Sequence, residues 1–405
     1  MNTCAQGSPP AARLFMEDVL DTLTGEEGKF QQSWNDDAVY TRGDQRGVGA
    51  EVCQWVDDFI GGAHEDIIDE IIAIFRKRWP TCTVMKDWRN LLGNVVTVDV
   101  PRGIASVSLR PSIEKLVKAT FGSVEPPKTT LPYTSRIASL KPESEPDITS
   151  PDHAEWLARQ KRVRCIVGKL VHISQWDPSI VYATSKEAGI MAAPSEEAEE
   201  EVRTTVAYLH HRKHVEIQFG GEDIESLDSS EPIDGAYRDG IALPAGPFAF
   251  ADGALGDSDE SGKSLSGIVV MVGRVCVIAI SARQHCVAKD SHDTEIYAAS
   301  LAATLMTSVR DQLQEKGWLQ LHPANIFIDS ASSLHVVESV NRLHRSLHLA
   351  RRVFLMRMAE HEGEAKFAQT PGNINKSDPM TKAVPRATFL AARDFWFGKY
   401  MVAAA

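Results

Sequence analysis

Three short apolar stretches, residues 248–252, 267–272 and 275–281, follow one another in the last third of the chain, and they constrain its fold more than any other feature. Each has strand length, and Gly273-Arg274 leaves a two-residue turn between the second and third. A helical pattern covers 293–316, and a fourth apolar run covers 325–328. Helical stretches at 331–341 and 347–360, a strand at 365–369 and a last helix within 382–397 complete the region. The order β-β-β-α-β-α-α-β-α predicts a mixed sheet with flanking helices. Strand ends in an open sheet gather at one edge. Asp252 closes the first strand, Asp329 follows the fourth, Glu295 opens the long helix and Asp378 precedes the last one. Four carboxylates meeting there repel unless a cation holds them, and an all-oxygen ligand set suits magnesium or manganese. Two such ions about 4 Å apart activate a water and stabilise the leaving oxygen of a phosphodiester. Against this, an Asp after a strand is often only a turn former, and spacing alone leaves both readings open.

With 405 residues the chain has room for two or three domains. Its net charge of −12 argues against a general polyanion binder, but the charge is unevenly placed. Acid concentrates in 196–201, 222–234 and 257–260, whereas 341–358 holds five arginines and no acid. That segment, with Arg342, Arg345, Arg351 and Arg352 beside His348, is the candidate phosphate-contacting helix. The six cysteines are scattered, with no Cys-x-x-Cys pair, which favours reduced thiols over a disulfide framework or a zinc site. His210, His211 and His214 have helical spacing, but no Cys or acid completes a zinc set, and the preferred reading is structural. No run is long and apolar enough for a membrane span, and the first residues lack a secretory pattern. The expectation is a cytoplasmic or nuclear protein, not secreted, with no membrane partner.

Upstream, residues 14–23 read as a helix, and 38–40 and 51–59 as strands around a Gly-rich turn. The second of these strands carries the adjacent acids Asp57 and Asp58. Residues 65–79 read as a helix with an apolar face of Ile68, Ile71, Ile72 and Phe75. A hairpin over 94–109 and a helix over 113–121 follow, then a Pro-, Ser- and Thr-rich linker or strap at 124–151. Residues 152–190 are helical with a break at Trp176-Asp177-Pro178, and a helix over 195–212 starts at the N-cap Ser195.

Read in order, the motifs of the last third resemble the RNase H region of copia-type LTR retrotransposon Pol polyproteins. They are Ala251-Asp252-Gly253-Ala254, then Lys263-Ser264-Leu265-Ser266-Gly267, then Arg283-Gln284 with Val287-Ala288, then Thr294-Glu295. Ile328-Asp329-Ser330-Ala331-Ser332, Ser346-Leu347-His348-Leu349 and Ser377-Asp378-Pro379-Met380-Thr381-Lys382 continue the series. The aromatic that usually follows the first acid is missing, and the Cys-Asp-Asn motif has become Ile-Asp-Ser; neither change removes a carboxylate. Similarity extends upstream through Gly168-Lys169-Leu170, Asp177-Pro178-Ser179-Ile180 and Ala207-Tyr208-Leu209. Trp88 with Leu91-Leu92-Gly93 also resembles the family, and Trp55-Val56-Asp57-Asp58 resembles its polymerase Tyr-Val-Asp-Asp hairpin.

The resemblance implies a multidomain α+β or α/β chain. A partial reverse-transcriptase palm is expected over 1–123, a linker over 124–151 and a helical thumb or connection-like region over 152–219. An acidic linker at 220–246 and an RNase H-like domain at 247–397 follow. It further implies an endonuclease that cuts the RNA strand of an RNA–DNA hybrid, with two Mg2+ (or Mn2+) ions held by Asp252, Glu295, Asp329 and Asp378. His348 falls where the family has a His near the active edge. Asp57 and Asp58 would be a polymerase remnant, since the family's earlier Asp-bearing strand has no counterpart before them; a separate N-terminal polymerase segment is a candidate partner. The competing expectation is an inactive, degenerate or domesticated fragment that at most binds nucleic acid.

Overall fold

Helix-forming and strand-forming stretches alternate along the chain as its hydrophobic pattern requires. The computed structural model describes residues 9–44, 47–55, 57–85, 90–220, 232–238, 241–244, 246–256, 262–318, 320–339 and 347–398. They fall into two units, residues 1–87 with 308–319, and residues 88–307 with 320–405.

In the first unit α1 (Pro9–Thr24) precedes an antiparallel sheet of β1 (Gln31–Gln32), β2 (Val39–Asp44), β3 (Gly47–Trp55) and β4 (Asp58–Ala63), followed by α2 (Glu65–Arg78). Val19, Leu23, Phe30, Tyr40, Val52 and Ile71 form its core. Two local expectations are corrected here. The single strand expected over 51–59 is two: Trp55 pairs with Asp58, so Asp57 lies in the turn and Asp58 opens β4. Two adjacent acids favour a turn over continuation of the strand. In α2 the buried stripe is Ile67, Ile71, Ile74 and Phe75 rather than the one through Ile68 and Ile72.

In the second unit β5 (Asn90–Leu91), β6 (Asn94–Asp99), β7 (Ile104–Ser108) and β8 (Glu216–Gly220) form an antiparallel sheet with α3 (Arg110–Phe121). The helices α4 (Asp152–Ser174), α5 (Val181–Ile190) and α6 (Glu196–Arg212) follow, and the Ser195 hydroxyl accepts from Ala198 N at the start of α6. Within the stretch read as an acidic linker, β9 (Pro232–Arg238) and β10 (Ile241–Pro244) pair antiparallel, while 221–231 lies outside the described residues.

The remaining elements are β11 (Pro247–Ala254), β12 (Leu265–Val272), β13 (Val275–Arg283), α7 (Ser291–Glu315), β14 (Ala324–Ile328), α8 (Ala331–Glu338), α9 (Ala350–His361), β15 (Ala365–Gln369), α10 (Asp378–Thr381) and α11 (Arg386–Phe397). Five strands stand in the order β13-β12-β11-β14-β15. β11 is antiparallel to β12 and parallel to β14, and β14 is parallel to β15. This is the expected mixed sheet with flanking helices. β11 is central and covered on both faces, which explains its unbroken apolar run Phe248, Ala249, Phe250, Ala251. Val163 and Val167 of α4, Val202 and Val206 of α6, Phe248, Phe250, Phe389 and Trp396 share one apolar cluster. The helical region and the five-stranded sheet therefore have a common core. Arg212 is sealed into it, its guanidinium 5.1 Å from the Tyr208 ring centre, 4.7 Å from that of Phe397 and 3.6 Å from Asp177.

The helix expected over 331–341 ends at Glu338, and the one expected from 347 is a single 3-10 turn, Leu347–Leu349, before α9. Residues 340–346, with Arg342 and Arg345, lie outside the described residues. Among the described residues no helix is long and apolar enough to cross a membrane.

Candidate metal centre

Sheet order brings three of the four expected carboxylates together. Asp252 lies in β11, two residues before its end; Asp329 directly follows the neighbouring parallel strand β14; Glu295 projects from the start of α7. Each offers an oxygen, and these oxygens lie within 4.8 Å of one another. Asp378 precedes the last helix as expected, standing as the first residue of the short helix α10. It stands close enough for its titration to feel Asp252 and Asp329, but its Oδ1 lies 3.1 Å from Lys382 Nζ.

Two glycines allow this convergence. A Cβ on Gly253 would lie 2.4 Å from the Thr294 carbonyl carbon, so α7 packs directly on the backbone beside Asp252. A Cβ on Gly267, the residue opposite Asp252 in β12, would lie 2.6 Å from Thr381 Cγ2 and 2.8 Å from Met380 Cβ. That gap lets α10 rest on the sheet and the Thr381 hydroxyl donate to Asp252 Oδ2. Gly253→Ala should therefore push α7 off the sheet and destabilise the protein by about 2 kcal/mol, with loss of any metal affinity. Chemical denaturation and metal titration of the variant would check this, and unchanged values in both would remove the glycine from the argument.

Electrostatics give the cluster its character. Burial first, then the charges of Asp252 and Asp329, push the Glu295 carboxyl up to about 9. Burial and then Asp252 push Asp378 up to about 6, against the pull of Lys382. Asp329 is raised by the same two causes in the same order. Burial works against the Lys382 ammonium, but Asp252, Asp378 and Asp329 outweigh it and hold its pKa above the ordinary lysine value. Glu295 Oε2 is buried without a hydrogen-bond partner. A buried orphan acceptor costs about 1–3 kcal/mol. A cation shared by the acids removes both this cost and their mutual repulsion.

The other expected site residues are placed as follows. His348 Nε2 lies 2.7 Å from Asp293 Oδ2. Arg351 is exposed on α9. Arg352 stacks 3.8 Å over the Tyr297 ring centre and donates to Ser300 Oγ. Arg357, expected on the same basic face, instead donates to the carbonyls of Val336, Val337 and Ser339 at the end of α8. Asp57 and Asp58 are exposed at the β3–β4 turn. His210 and His211 turn to Glu125 Oε1 and the Pro127 carbonyl. Thr381, Lys382, Asp293 and Tyr297 had no assigned role from the sequence. The advance signals were the motif Ser377-Asp378-Pro379-Met380-Thr381-Lys382, which contains Thr381 and Lys382, and the four-residue spacing of Asp378 and Lys382, which lets the two side chains meet across one helical turn.

A mixed five-stranded sheet thus gathers three acids, the buried Asp252 with the half-buried Glu295 and Asp329, into a candidate metal centre. No family model matches the chain. In sequence it is similar to retrovirus-related Pol polyproteins of Arabidopsis thaliana. It is 20% identical to that from transposon RE2 over 291 residues, which is 72% of this chain and 18% of that protein. It is 22% identical to that from transposon RE1 over 260 residues, 63% of this chain and 16% of that protein. The chain thus spans less than a fifth of the curated relatives it matches. Among solved structures, an RNase H1 isolated from compost by a metagenomic approach aligns with TM-score 0.27 and 15% identity, over 33% of this chain and 91% of that one. A foamy viral protease-reverse transcriptase in complex with double-stranded DNA aligns with TM-score 0.41 and 11% identity, over 89% of this chain and 49% of that one. The resemblance to retrotransposon Pol polyproteins drawn from the motifs is met by these relatives.

Proposed function

We propose that this chain is a copia-type retrotransposon reverse transcriptase/RNase H fragment that hydrolyses the RNA strand of RNA–DNA hybrids with two magnesium or manganese ions. The observation that carries the reading is the group Asp252, Glu295 and Asp329, with oxygens within 4.8 Å of one another. The donor set fits such ions: it is all oxygen, anionic, partly desolvated, and includes the orphaned Glu295 Oε2. Asp252, Glu295, Asp329 and Asp378 would hold the ions, with Asp252 central to the group. When bound, the ions activate water and stabilise the leaving oxygen of a phosphodiester. The chain's own groups prepare the site. The Thr381 hydroxyl fixes the rotamer of Asp252, and the Lys382 ammonium holds Asp378 in reach. His348, Arg351 and Arg352, with Arg342 and Arg345, are assigned to the phosphates of the hybrid. The domain limits given from the sequence, with the nuclease over 247–397, belong to the same proposal.

The test is cleavage of end-labelled RNA, alone and annealed to DNA, with magnesium or with chelator, alongside calorimetric metal titration. Metal-dependent cutting of the annealed strand is expected. No cutting together with no metal binding would establish the degenerate-fragment reading instead.

DNA synthesis by this chain is not part of the proposal. Among the described residues Asp57 and Asp58 belong to no group of three metal-ligating side chains. Polymerase chemistry of this family would need a third acid beside that pair. Primer extension on an RNA template should give no product above a no-enzyme control, and measurable extension would overturn this assignment.

A further inference from the structure

Two side chains, His348 and Arg352, are held by one face of α7. Asp293, Tyr297 and Ser300 recur at helical spacing and so line up along the helix. Asp293 is buried, and its Oδ2 accepts from Lys289 N at 3.0 Å as well as meeting His348 Nε2 at 2.7 Å. Its own N–H donates to Asp290 Oδ1 at 3.1 Å, so the carboxylate has little freedom. One turn on, the Tyr297 ring carries the Arg352 guanidinium at 3.8 Å, and Arg352 Nη1 donates to Ser300 Oγ at 2.9 Å. The Tyr297 hydroxyl is itself tied, 2.5 Å from Cys286 Sγ. His348 keeps 48% of its side chain exposed.

We propose that Asp293 and Tyr297 are positioning residues that present the His348 imidazole and the Arg352 guanidinium as a rigid ridge to the phosphates of a nucleic-acid duplex, a role that rests on the nuclease reading above. Asp293 and Glu295 leave the same turn of α7 on roughly opposite sides. One helical turn therefore sets the register between the ridge and the acids. An arginine already stacked and hydrogen-bonded loses less side-chain entropy when it meets a phosphate than a free one. Arg keeps several N–H groups for such a contact after one is used. The simpler alternative is that these contacts only dock α9 on α7, which affects stability but not the ionic character of binding.

The experiment is fluorescence-anisotropy binding of the full chain to an RNA–DNA hybrid in chelator, over a series of salt concentrations. Arg352→Gln removes one cation. It should lower the log–log salt slope by about one unit and weaken binding roughly five- to tenfold at 0.1 M salt. Tyr297→Leu removes no charge, yet it should reproduce most of that loss of slope. The double variant should be no worse than Arg352→Gln alone, because the two act as a unit. Tyr297→Phe, which keeps the ring, should restore the slope, and Asp293→Asn, which loosens the hold on His348, should weaken binding at every salt concentration. Thermal melts confirm that each variant is folded. A folded Tyr297→Leu with wild-type slope, additive effects in the double variant, or no hybrid binding by the wild type would each overturn the ridge. Cleavage in magnesium is read separately. Binding with the expected slopes but no hydrolysis would sink the nuclease reading and leave the ridge standing.

Discussion

Asp252→Asn should reduce single-turnover cleavage of the hybrid by about a thousandfold or more. The asparagine carbonyl can still accept from Thr381, so the local hydrogen bond to α10 survives. What would be lost is the carboxylate to which the proposed two-ion reading gives both ions. Losing about 4 kcal/mol of transition-state stabilisation corresponds to about three orders of magnitude in rate. Folding should not suffer. Asp252 contributes to raising the carboxyls of Glu295, Asp329 and Asp378, so removing its charge relieves repulsion in the metal-free protein. The metal-free melting temperature should therefore hold or rise. The increase on adding magnesium, which measures binding to the folded state, should shrink. Cleavage within tenfold of wild type would take Asp252, and with it the two-ion assignment, out of the mechanism.

The part of the fold that matters most for this prediction was legible in the sequence for a physical reason. β11 is covered on both faces, so its residues are apolar without alternation until Asp252 breaks the run, and in β14 the apolar run Ile326, Phe327, Ile328 leads to Asp329. A buried strand that ends in an acid can be read locally. The stripe on α2 could not. Isoleucines at 67, 68, 71, 72 and 74 with Phe75 offer two overlapping apolar faces, and only packing against the β3–β4 sheet chooses between them. The same limit hid Arg357. Its charge was visible, but not the three carbonyls at the end of α8 that use it. Tyr297 and the two close-contact glycines owe their roles to Arg352, Thr294 and Thr381, neighbours far along the chain and beyond the reach of any periodic pattern.

Glu187→Gln should stabilise the protein at pH 9 relative to wild type and leave a flatter pH profile. Glu187 is 0% exposed on α5, and burial pushes its carboxyl up to about 8, with the Thr205 hydroxyl pulling it down and the Glu201 charge raising it again. The hydrogen bonds point the same way. Thr205 Oγ1 lies 2.7 Å from the Pro132 carbonyl and 2.5 Å from Glu187 Oε1, yet a hydroxyl has one proton to give. If Thr205 donates to Pro132, the other contact needs the proton of a neutral Glu187. Glu201 beside it takes the Thr134 N–H at 2.8 Å, with Arg136 3.8 Å away. Because the folded pKa lies above the ordinary value of 4.5, the folded state holds a proton that the unfolded chain releases. Stability from this group is then full below about pH 4.5, falls by about 1.4 kcal/mol per pH unit as pH rises, and levels off above about 8. Glutamine keeps a donor for Thr205 and cannot ionise, so that decline disappears. Its second polar atom inherits the unpartnered position of Glu187 Oε2, a cost of about 1–3 kcal/mol that applies equally at every pH. The readout is therefore the difference between wild type and variant in denaturation free energy, measured from pH 5 to pH 9. The variant should gain a few kcal/mol on wild type across that range. A constant difference would mean that Glu187 is ionised in the fold and that Glu201, Thr205 and Pro132 accommodate its charge.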